Sequence, residues 1–262
     1  LKTHSKITLV VRREEEGIRR YVHLGTGNYN DSTAKLYTDM GMFTCKRAYG
    51  EDATAVFNML SGYSEPLSWN KLALAPTWLR TRFVELINRE RDYAAMGKPA
   101  RIVAKMNSLC DAGIINALYE ASAAGVQIEL IIRGICCLKQ GVPGMSETIQ
   151  VRSIVGTFLE HSRIFYFEND GSPEIYMGSA DWMPRNLDKR VEILFPVEDP
   201  DLKKEIIHIL HTQLADNTKA HLLQPDGLVK VYGGCYKKAD RRGHAAVCSQ
   251  MQFCKEAKKN AK

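Results

Sequence analysis

The sequence lacks any long hydrophobic run. A transmembrane helix needs about 18 or more consecutive apolar residues, and no such stretch occurs in the 262 residues. The sequence also lacks an initiator Met and any segment with the composition of a targeting peptide. We therefore predict no membrane span. Because a histidine motif follows almost at once after Leu1, we expect the chain to be an excised fragment of a longer protein.

Paired cysteine motifs are also missing. The seven cysteines include no CxxC pair, and Cys136 is adjacent to Cys137. This pattern predicts reduced thiols in a cytoplasmic protein. Four metal-capable side chains lie near the end of the chain: Cys235, His244, Cys248 and Cys254. Their spacing fits no common zinc pattern, so we assign them no metal.

Neither charge sign dominates strongly. The net charge is +6 with a pI of about 8.9, and 45% of the residues are hydrophobic. The apolar content suffices for a substantial core in one or two domains. A moderately basic balance is compatible with a polyanionic partner but does not identify one.

Two α/β segments are predicted, joined by a Gly-, Pro- and Ser-containing linker at 61–70. In the first, strands at 6–12 and 18–24 form a hairpin, and Asp31 or Ser32 caps a short helix. The other predicted strands are one through 42 and those at 72–75, 101–106, 126–132, 149–155, 163–167, 174–178 and 190–196. The other predicted helices lie near 52–60, at 77–95 and at 111–124. Two more are predicted, one that begins at Asp199 or Asp201 and ends at 214, and one that begins at Ser249. Alternating strands and helices predict an α/β sandwich with a mixed sheet.

An internal repeat links the two segments. His4-Ser5-Lys6 precedes a strand and the turn Gly25-Thr26-Gly27-Asn28. His161-Ser162-Arg163 likewise precedes a strand and the turn Gly178-Ser179-Ala180-Asp181. Two copies of this pattern predict two related halves.

The repeated histidine and base suit phosphoryl chemistry. Residues i and i+2 of a strand point to the same face, so His4 with Lys6, and His161 with Arg163, reach one site together. A neighbouring cation favours the neutral, nucleophilic imidazole. It also binds the phosphoryl oxygens whose charge must be stabilised. Lys6 and Arg163 are therefore predicted phosphate clamps.

Two other features stay open. The turn beginning at Gly25 is either a plain turn or a backbone nest for phosphate. A basic hairpin is either a solvated face or an aid in holding a polyanion: Arg12, Arg13, Arg19 and Arg20.

The repeat is similar to the phospholipase D superfamily, in which two histidine–x–lysine motifs meet at one active site. That superfamily has an Asp five residues after the Lys, where this sequence has Val11 and Glu168. The departure argues against an ordinary phospholipase or nuclease. A phosphodiesterase or nuclease of the superfamily, and a non-catalytic polyanion-binding module, remain the alternatives.

A closer resemblance, to the polyphosphate kinase family, runs almost the full length. It is carried by RYVHLGTGNYNDSTAKLYTDMGMFT at 20–44, KMNSLCD at 105–111, LIIRGICCL at 130–138, SIVGTFLEHSRIFYFEN at 153–169 and GSADWMPRNLDKRVE at 178–192. It implies two phospholipase-D-like α/β sandwich domains with mixed sheets. Residues 1–70 would be the C-terminal part of the first, truncated domain, and 71–262 the second.

The resemblance also implies roles for particular residues. His4 matches the histidine that becomes phosphorylated, and His161 matches a second active-site histidine that binds nucleotide and acts as an acid–base partner. Tyr37 matches a nucleotide-contacting tyrosine, and Arg133 matches an arginine that binds nucleotide phosphate.

The implied activity is reversible transfer of the ATP γ-phosphate to polyphosphate, which makes the protein an ATP-binding transferase. The implied partners are ATP or ADP and inorganic polyphosphate, with no nucleic acid. The family's Mg²⁺ site is expected in residues upstream of this sequence, with no metal ligand in it. The intact enzyme is expected to be a cytoplasmic homo-oligomer, with peripheral membrane association left open.

Overall fold

The computed structural model describes residues 1–62, 64–225, 236–239 and 245–260. The helices are α1 (Asp31–Ala34), α2 (Arg47–Leu60), α3 (Leu79–Ala95), α4 (Ala112–Ala123), α5 (Pro184–Lys189), α6 (Pro200–Leu214) and α7 (Ser249–Asn260). The strands are β1 (Lys2–Thr3), β2 (Lys6–Glu14), β3 (Gly17–Gly25), β4 (Tyr37–Thr38), β5 (Gly41–Thr44), β6 (Ala73–Leu74), β7 (Arg101–Met106), β8 (Gln127–Ile132), β9 (Ile149–Ile154), β10 (Leu159–Glu160), β11 (Arg163–Phe167), β12 (Glu174–Gly178), β13 (Arg190–Val191), β14 (Ile193–Val197), β15 (Ala220–Leu223) and β16 (Tyr236–Lys238).

The first segment is built on a three-stranded antiparallel sheet in the order β2-β3-β5. Its hairpin keeps register from Glu14 opposite Gly17 to Lys6 opposite Gly25. Gly17 has φ +117, a left-handed conformation that glycine adopts without steric cost. The predicted hairpin is thus confirmed. Its alternation buries Val22 and Leu24 on one face, against α2.

The second segment is built on a nine-stranded sheet in the order β16-β15-β9-β8-β7-β11-β12-β14-β6. The strands β7, β8 and β9 are parallel to one another, and the remaining pairs are antiparallel. The predicted α/β fold with a mixed sheet is therefore confirmed. The parallel strands bring the C-terminal ends of β7 and β8 to one edge, where ligands commonly bind in α/β proteins.

Helices cover both faces of this sheet. Ile102 and Ala104 of β7 pack in a cluster with α3 and α4, whereas the intervening Val103 packs in a second cluster with α2 and α6. The second cluster contains residues from both segments, including Leu24 and Phe195. The two segments thus share a core.

Two very short parallel pairings also join the segments. β1 pairs with β13, and β4 pairs with β10. β1 lies immediately before His4, and β10 lies immediately before His161.

Several element boundaries differ from the prediction. Asn30, and not Asp31 or Ser32, caps α1, because its extended backbone lets its side chain accept from the Thr33 amide at 2.9 Å. Helix α2 begins at Arg47, earlier than predicted, because Tyr49 adds a further buried turn. Asp199 caps α6, as one of the two predicted alternatives. None of the described helices is long and apolar enough to cross a membrane.

Candidate active site

His4 is positioned by the pairing of β1 with β13. The amides of His4 and Ser5 both donate to the Val191 carbonyl, at 2.9 and 3.0 Å. This places His4 Nδ1 2.8 and 2.9 Å from the two carboxylate oxygens of Glu192, whose side chain is fully buried. Lys6 Nζ lies 3.0 Å from His4 Nε2. The imidazole is therefore held at one nitrogen by a carboxylate and faces a cation at the other.

His161 is positioned in the same way by the pairing of β10 with β4. The amides of His161 and Ser162 donate to the Thr38 carbonyl, at 3.2 and 3.0 Å. His161 Nδ1 lies 2.9 and 2.8 Å from the carboxylate oxygens of Asp39. Arg163 Nη1 lies 3.1 Å from His161 Nε2. The two copies of the sequence repeat thus place the same types of hydrogen-bond partner around each histidine.

The glycine-rich turns complete the repeat. The Thr26 hydroxyl donates to Asp39 Oδ1 at 2.7 Å, and the Ser179 hydroxyl donates to Glu192. A Cβ at Gly27 would stand 2.4 Å from the Asp39 side chain. The glycine there permits a close approach to the carboxylate that orients His161.

The carboxylates are exchanged between the segments. Glu192 of the second segment holds His4 of the first, and Asp39 of the first holds His161 of the second. A carboxylate can only accept, so Nδ1 of each ring carries the proton. Lys6 Nζ lies within hydrogen-bond distance of His4 Nε2, whereas Arg163 Nη1 lies beside the His161 ring, 3.1 Å from Nε2 and 3.3 Å from Nδ1. In both histidines Nε2 is the nitrogen available for chemistry.

The two histidine clusters lie against each other. Arg163 Nη1 reaches the Thr26 carbonyl at 3.4 Å, one residue after the Gly25 that pairs with Lys6. Arg163 Nε also donates to Asp181 Oδ1 at 3.1 Å. Lys6 and Arg163 are close enough for the Arg163 charge to lower the pKa of Lys6. The structure thus brings His4, Lys6, His161 and Arg163 into one basic site.

Burial sets the protonation of this site. It lowers the pKa of Lys6 to about 8; Glu192 opposes the shift and Arg163 adds to it. Burial also lowers the pKa of His161, opposed by the hydrogen bond to Asp39 and reinforced by the charges of Arg163 and Lys6. The lowered pKa favours the neutral form of the His161 imidazole. A bound anion would favour the charged forms of both groups.

The other two predicted residues lie at the edge of this site. The ring of Tyr37, on β4, is centred 4.8 Å from that of His161. Arg133 follows β8 and donates through Nε to Asn107 Oδ1 at 3.0 Å. The Asn107 amide in turn reaches the His161 carbonyl at 3.4 Å. The Asn107 side chain thus connects Arg133 to the backbone of His161.

The basic hairpin lies far from the histidines. At about 3.3 Å per residue, Arg12 stands about 20 Å along β2 from Lys6. Val11, at the position of the superfamily's acidic residue, is half exposed on the same strand. In the second copy, Glu168 accepts a hydrogen bond from Tyr166 at 2.6 Å. Of the four metal-capable tail residues, Cys235 and His244 lie outside the described residues.

The sequence prediction missed the groups that orient the histidines. Asp39 and Glu192 each stand two residues after the start of a two-residue strand, β4 and β13, in the quoted strings LYTD and KRVE. The signal for them lies in the internal repeat, because Asp39 and Glu192 occupy matching positions in the two copies. The prediction also missed the buried Glu160, which accepts from several donors: Lys105, Thr38, Gln213 and Gln250.

The described residues do not fit a Mg²⁺ site. Within the ranges that the structure describes, no group of three His, Cys, Asp or Glu side chains could hold a metal ion. The carboxylates at the histidines already accept from protein donors: Glu192 from His4 and Ser179, and Asp39 from His161 and Thr26. No chemistry through a metal is therefore assigned to these residues.

One sizeable cavity lies away from the histidines. It has a volume of about 830 Å³ and is walled by Trp69, Trp78 and Tyr176, with neither histidine in its lining.

Comparison with known proteins identifies the family. The family description "Polyphosphate kinase C-terminal domain 2" matches residues 72–250, and "Polyphosphate kinase C-terminal domain 1" matches residues 1–66. The chain belongs to the polyphosphate kinase family. The polyphosphate kinase of Lactiplantibacillus plantarum is 52% identical over 100% of this chain and 36% of its own length. That of Synechocystis is 60% identical over 87% of this chain and 31% of its own length.

One solved structure agrees with this family assignment, and a second shares the fold alone. The polyphosphate kinase of Porphyromonas gingivalis superimposes with a TM-score of 0.89 at 37% identity, over 99% of this chain and 39% of that one. A phosphatidylserine synthase of Haemophilus influenzae, at 10% identity and a TM-score of 0.52, shares the fold over 93% of this chain and 68% of its own. The chain spans about a third of the length of the curated polyphosphate kinases it matches.

Proposed function

We propose that this chain carries the phosphoryl-transfer site of a polyphosphate kinase: ATP + polyphosphate(n) = ADP + polyphosphate(n+1), reversible, through a phosphohistidine at His4. The supporting observation is the reciprocal histidine pair, with each Nδ1 held by a carboxylate and each imidazole beside a buried cation. Oriented imidazoles beside phosphate-binding cations suit transfer of a charged phosphoryl group.

In the first step, His4 Nε2 attacks the γ-phosphorus of ATP. The N–P bond forms as the bond from that phosphorus to the β–γ bridging oxygen breaks, and ADP leaves with the electron pair. The buried Glu192 stabilises the positive charge that develops on the ring. In the second step, the terminal oxygen of polyphosphate attacks the phosphorus, the N–P bond breaks and His4 is regenerated. Splitting the transfer in this way is covalent catalysis.

The remaining residues bind and orient substrate. Lys6 and Arg163 hold the phosphoryl oxygens, and Lys6 must leave His4 Nε2 to do so. His161, neutral until an anion arrives, donates or accepts at Nε2 next to the same phosphates. Tyr37 and Arg133 contact the nucleotide at the edge of the site. We expect the intact enzyme to use Mg²⁺ held outside this chain and to work as a cytoplasmic homo-oligomer.

The test is chemical labelling of the intact enzyme that contains this chain. Incubation with γ-labelled ATP and Mg²⁺ should leave label on His4 that is lost in acid and kept in base. His4→Asn should abolish it. His208→Asn, in a pair with Glu256 on the helical surface, is the matched control and should label normally.

Equal labelling of His4→Asn, or an acid-stable label, would contradict the proposal. The same experiment separates the alternatives. A phosphodiesterase or nuclease transfers to water and keeps no γ-phosphate, whereas a non-catalytic polyanion-binding module binds polyphosphate without labelling.

A further inference from the structure

Two cysteines that the phosphoryl chemistry does not use stand opposite each other beyond the ends of β7 and β8. Leu109 forms a parallel bridge with Cys136. The Leu109 amide donates to the Ile135 carbonyl and the Cys137 amide donates to the Leu109 carbonyl, both at 2.8 Å. One step further along this register, Cys110 lies opposite Cys137.

Alternation decides which thiols meet. Leu109 is fully buried and Cys136 is 5% exposed, so that pair faces the core. Successive residues of an extended segment point to opposite faces. Cys110 and Cys137 therefore share the outward face, in agreement with their half-buried and exposed positions. The adjacent Cys136 is turned away.

The spacing suits a covalent link. Neighbouring extended segments run about 4.7–4.9 Å apart, and disulfides join residues whose Cα atoms are about 4.4–6.8 Å apart. The Cys137 thiol is close enough to add to the burial that raises the pKa of Cys110 to about 12. Cys110 is therefore protonated at neutral pH, and the exposed Cys137 is the thiol that an oxidant meets first.

We propose that Cys110 and Cys137 are a redox modification site, which closes to a reversible disulfide on exposure to a peroxide. This goes beyond phosphoryl transfer. The Cys137 thiolate attacks one peroxide oxygen, the O–O bond breaks, and the other oxygen leaves as water. Cys110 then attacks the sulfenic sulfur, the S–O bond breaks and a second water leaves. The two thiols lose two electrons and two protons, and both pass to the peroxide.

The link would join the stretch of chain that follows β7 to the stretch that follows β8, beside the histidine site. Gly134 donates to the Asn107 carbonyl at 2.7 Å, and a Cβ at Gly134 would stand 2.9 Å from that oxygen. Cys137 lies four residues after Arg133 in the stretch of chain that follows β8. An effect of the link on nucleotide binding by Arg133 rests on the proposed function. Formation of the link itself does not.

The experiment is peptide mapping after hydrogen peroxide treatment, blocking of free thiols and tryptic digestion. The digest separates Cys110, in peptide 106–133, from Cys136 and Cys137, in peptide 134–139. We expect these two peptides to be joined, with the loss of two free thiols per chain. Dithiothreitol should release the link and restore both thiols.

Variants identify the partner. Cys136→Ser should keep the link and Cys137→Ser should lose it, while Cys45→Ser is a control for an exposed thiol elsewhere. Full recovery of blocked Cys110 and Cys137 while Cys45 is oxidised would overturn the proposal. So would a link that survives in Cys137→Ser, or one found only between two chains. The wild-type map needs no variant, so a variant that fails to fold does not obscure the result.

Discussion

Replacing Lys6 with Met should make the chain more stable and the site less able to bind phosphate. Lys6 is 4% exposed, and its pKa falls from the ordinary 10.5 to about 8. The folded protein therefore holds this proton more weakly than the unfolded chain does. Below pH 8 the lysine is charged in both states, and the folded state bears the cost of burying that charge.

The size of the effect follows from the pKa difference. Each pKa unit corresponds to about 1.4 kcal/mol, so a difference of about 2.5 units costs about 3 kcal/mol of stability at pH 7. Between the two pKa values the unfolded chain binds more protons, so stability rises with pH through this window. At pH 9.5 the cost falls to about 1 kcal/mol. Met has a similar length and no charge to bury.

The assay is urea unfolding of the wild type and Lys6→Met at pH 7 and pH 9.5. We expect the variant to be more stable by about 1–3 kcal/mol at pH 7 and by clearly less at pH 9.5. Lys2→Met removes an exposed lysine two residues before His4 and should change stability little at either pH. Comparing the variant with the wild type cancels the titration of other buried groups, such as Lys105.

One result would refute this reasoning. If Lys6→Met were destabilised equally at both pH values, the hydrogen bond of Lys6 to His4 and the nearby charge of Glu192 would outweigh the cost of burying the lysine. Polyphosphate binding provides the second readout. A variant that is more stable but binds polyphosphate as well as the wild type would remove Lys6 from the proposed phosphate clamp.

Three further outcomes are expected. Glu192→Gln should slow labelling of His4 by about 10²–10⁴-fold, because the ring loses its orienting charge; Glu198→Gln, at a surface pair with Lys71, is the control and should label normally. Arg133→Ala should weaken ATP binding, and Arg133→Lys should restore it only in part because a planar fork becomes a point charge; equal loss of thermal stability in both would indicate a structural role instead. Gln250→Ala should cost about 1–3 kcal/mol in urea unfolding, since it leaves buried partners unpaired at Glu160 and Phe158; an unchanged midpoint would contradict it.

The parts of this molecule with a local signal could be predicted from the sequence. The hairpin, the alternation of strands and helices in the second segment, and the histidine–x–base repeat all depend on residues close together in the chain. Two-residue strands such as β1 and β13 carry no periodic signal. They form only because the two segments pack together, and they are the elements that position both histidines.

The orienting carboxylates have no local sequence signal for the same reason. Glu192 is 188 residues from the His4 it holds, and Asp39 is 122 residues from His161. A lone Asp or Glu in a sequence has no feature that distinguishes an exposed side chain from one buried against an imidazole. Only the internal repeat contained the information, because Thr26 with Asp39 and Ser179 with Glu192 occupy matching positions in the two copies.

This reciprocity means that neither segment contains a complete site. The first segment supplies His4 and Lys6 but needs Glu192 to fix the ring, and the second supplies His161 and Arg163 but needs Asp39. Each histidine is therefore oriented only when β1 pairs with β13 and β4 pairs with β10. The shared core that contains Leu24 and Phe195 is what holds those pairings together. The chemistry at the histidines therefore depends on the packing between the segments. A substitution that loosens the shared core should disturb the orientation of both imidazoles, even where it contacts neither of them.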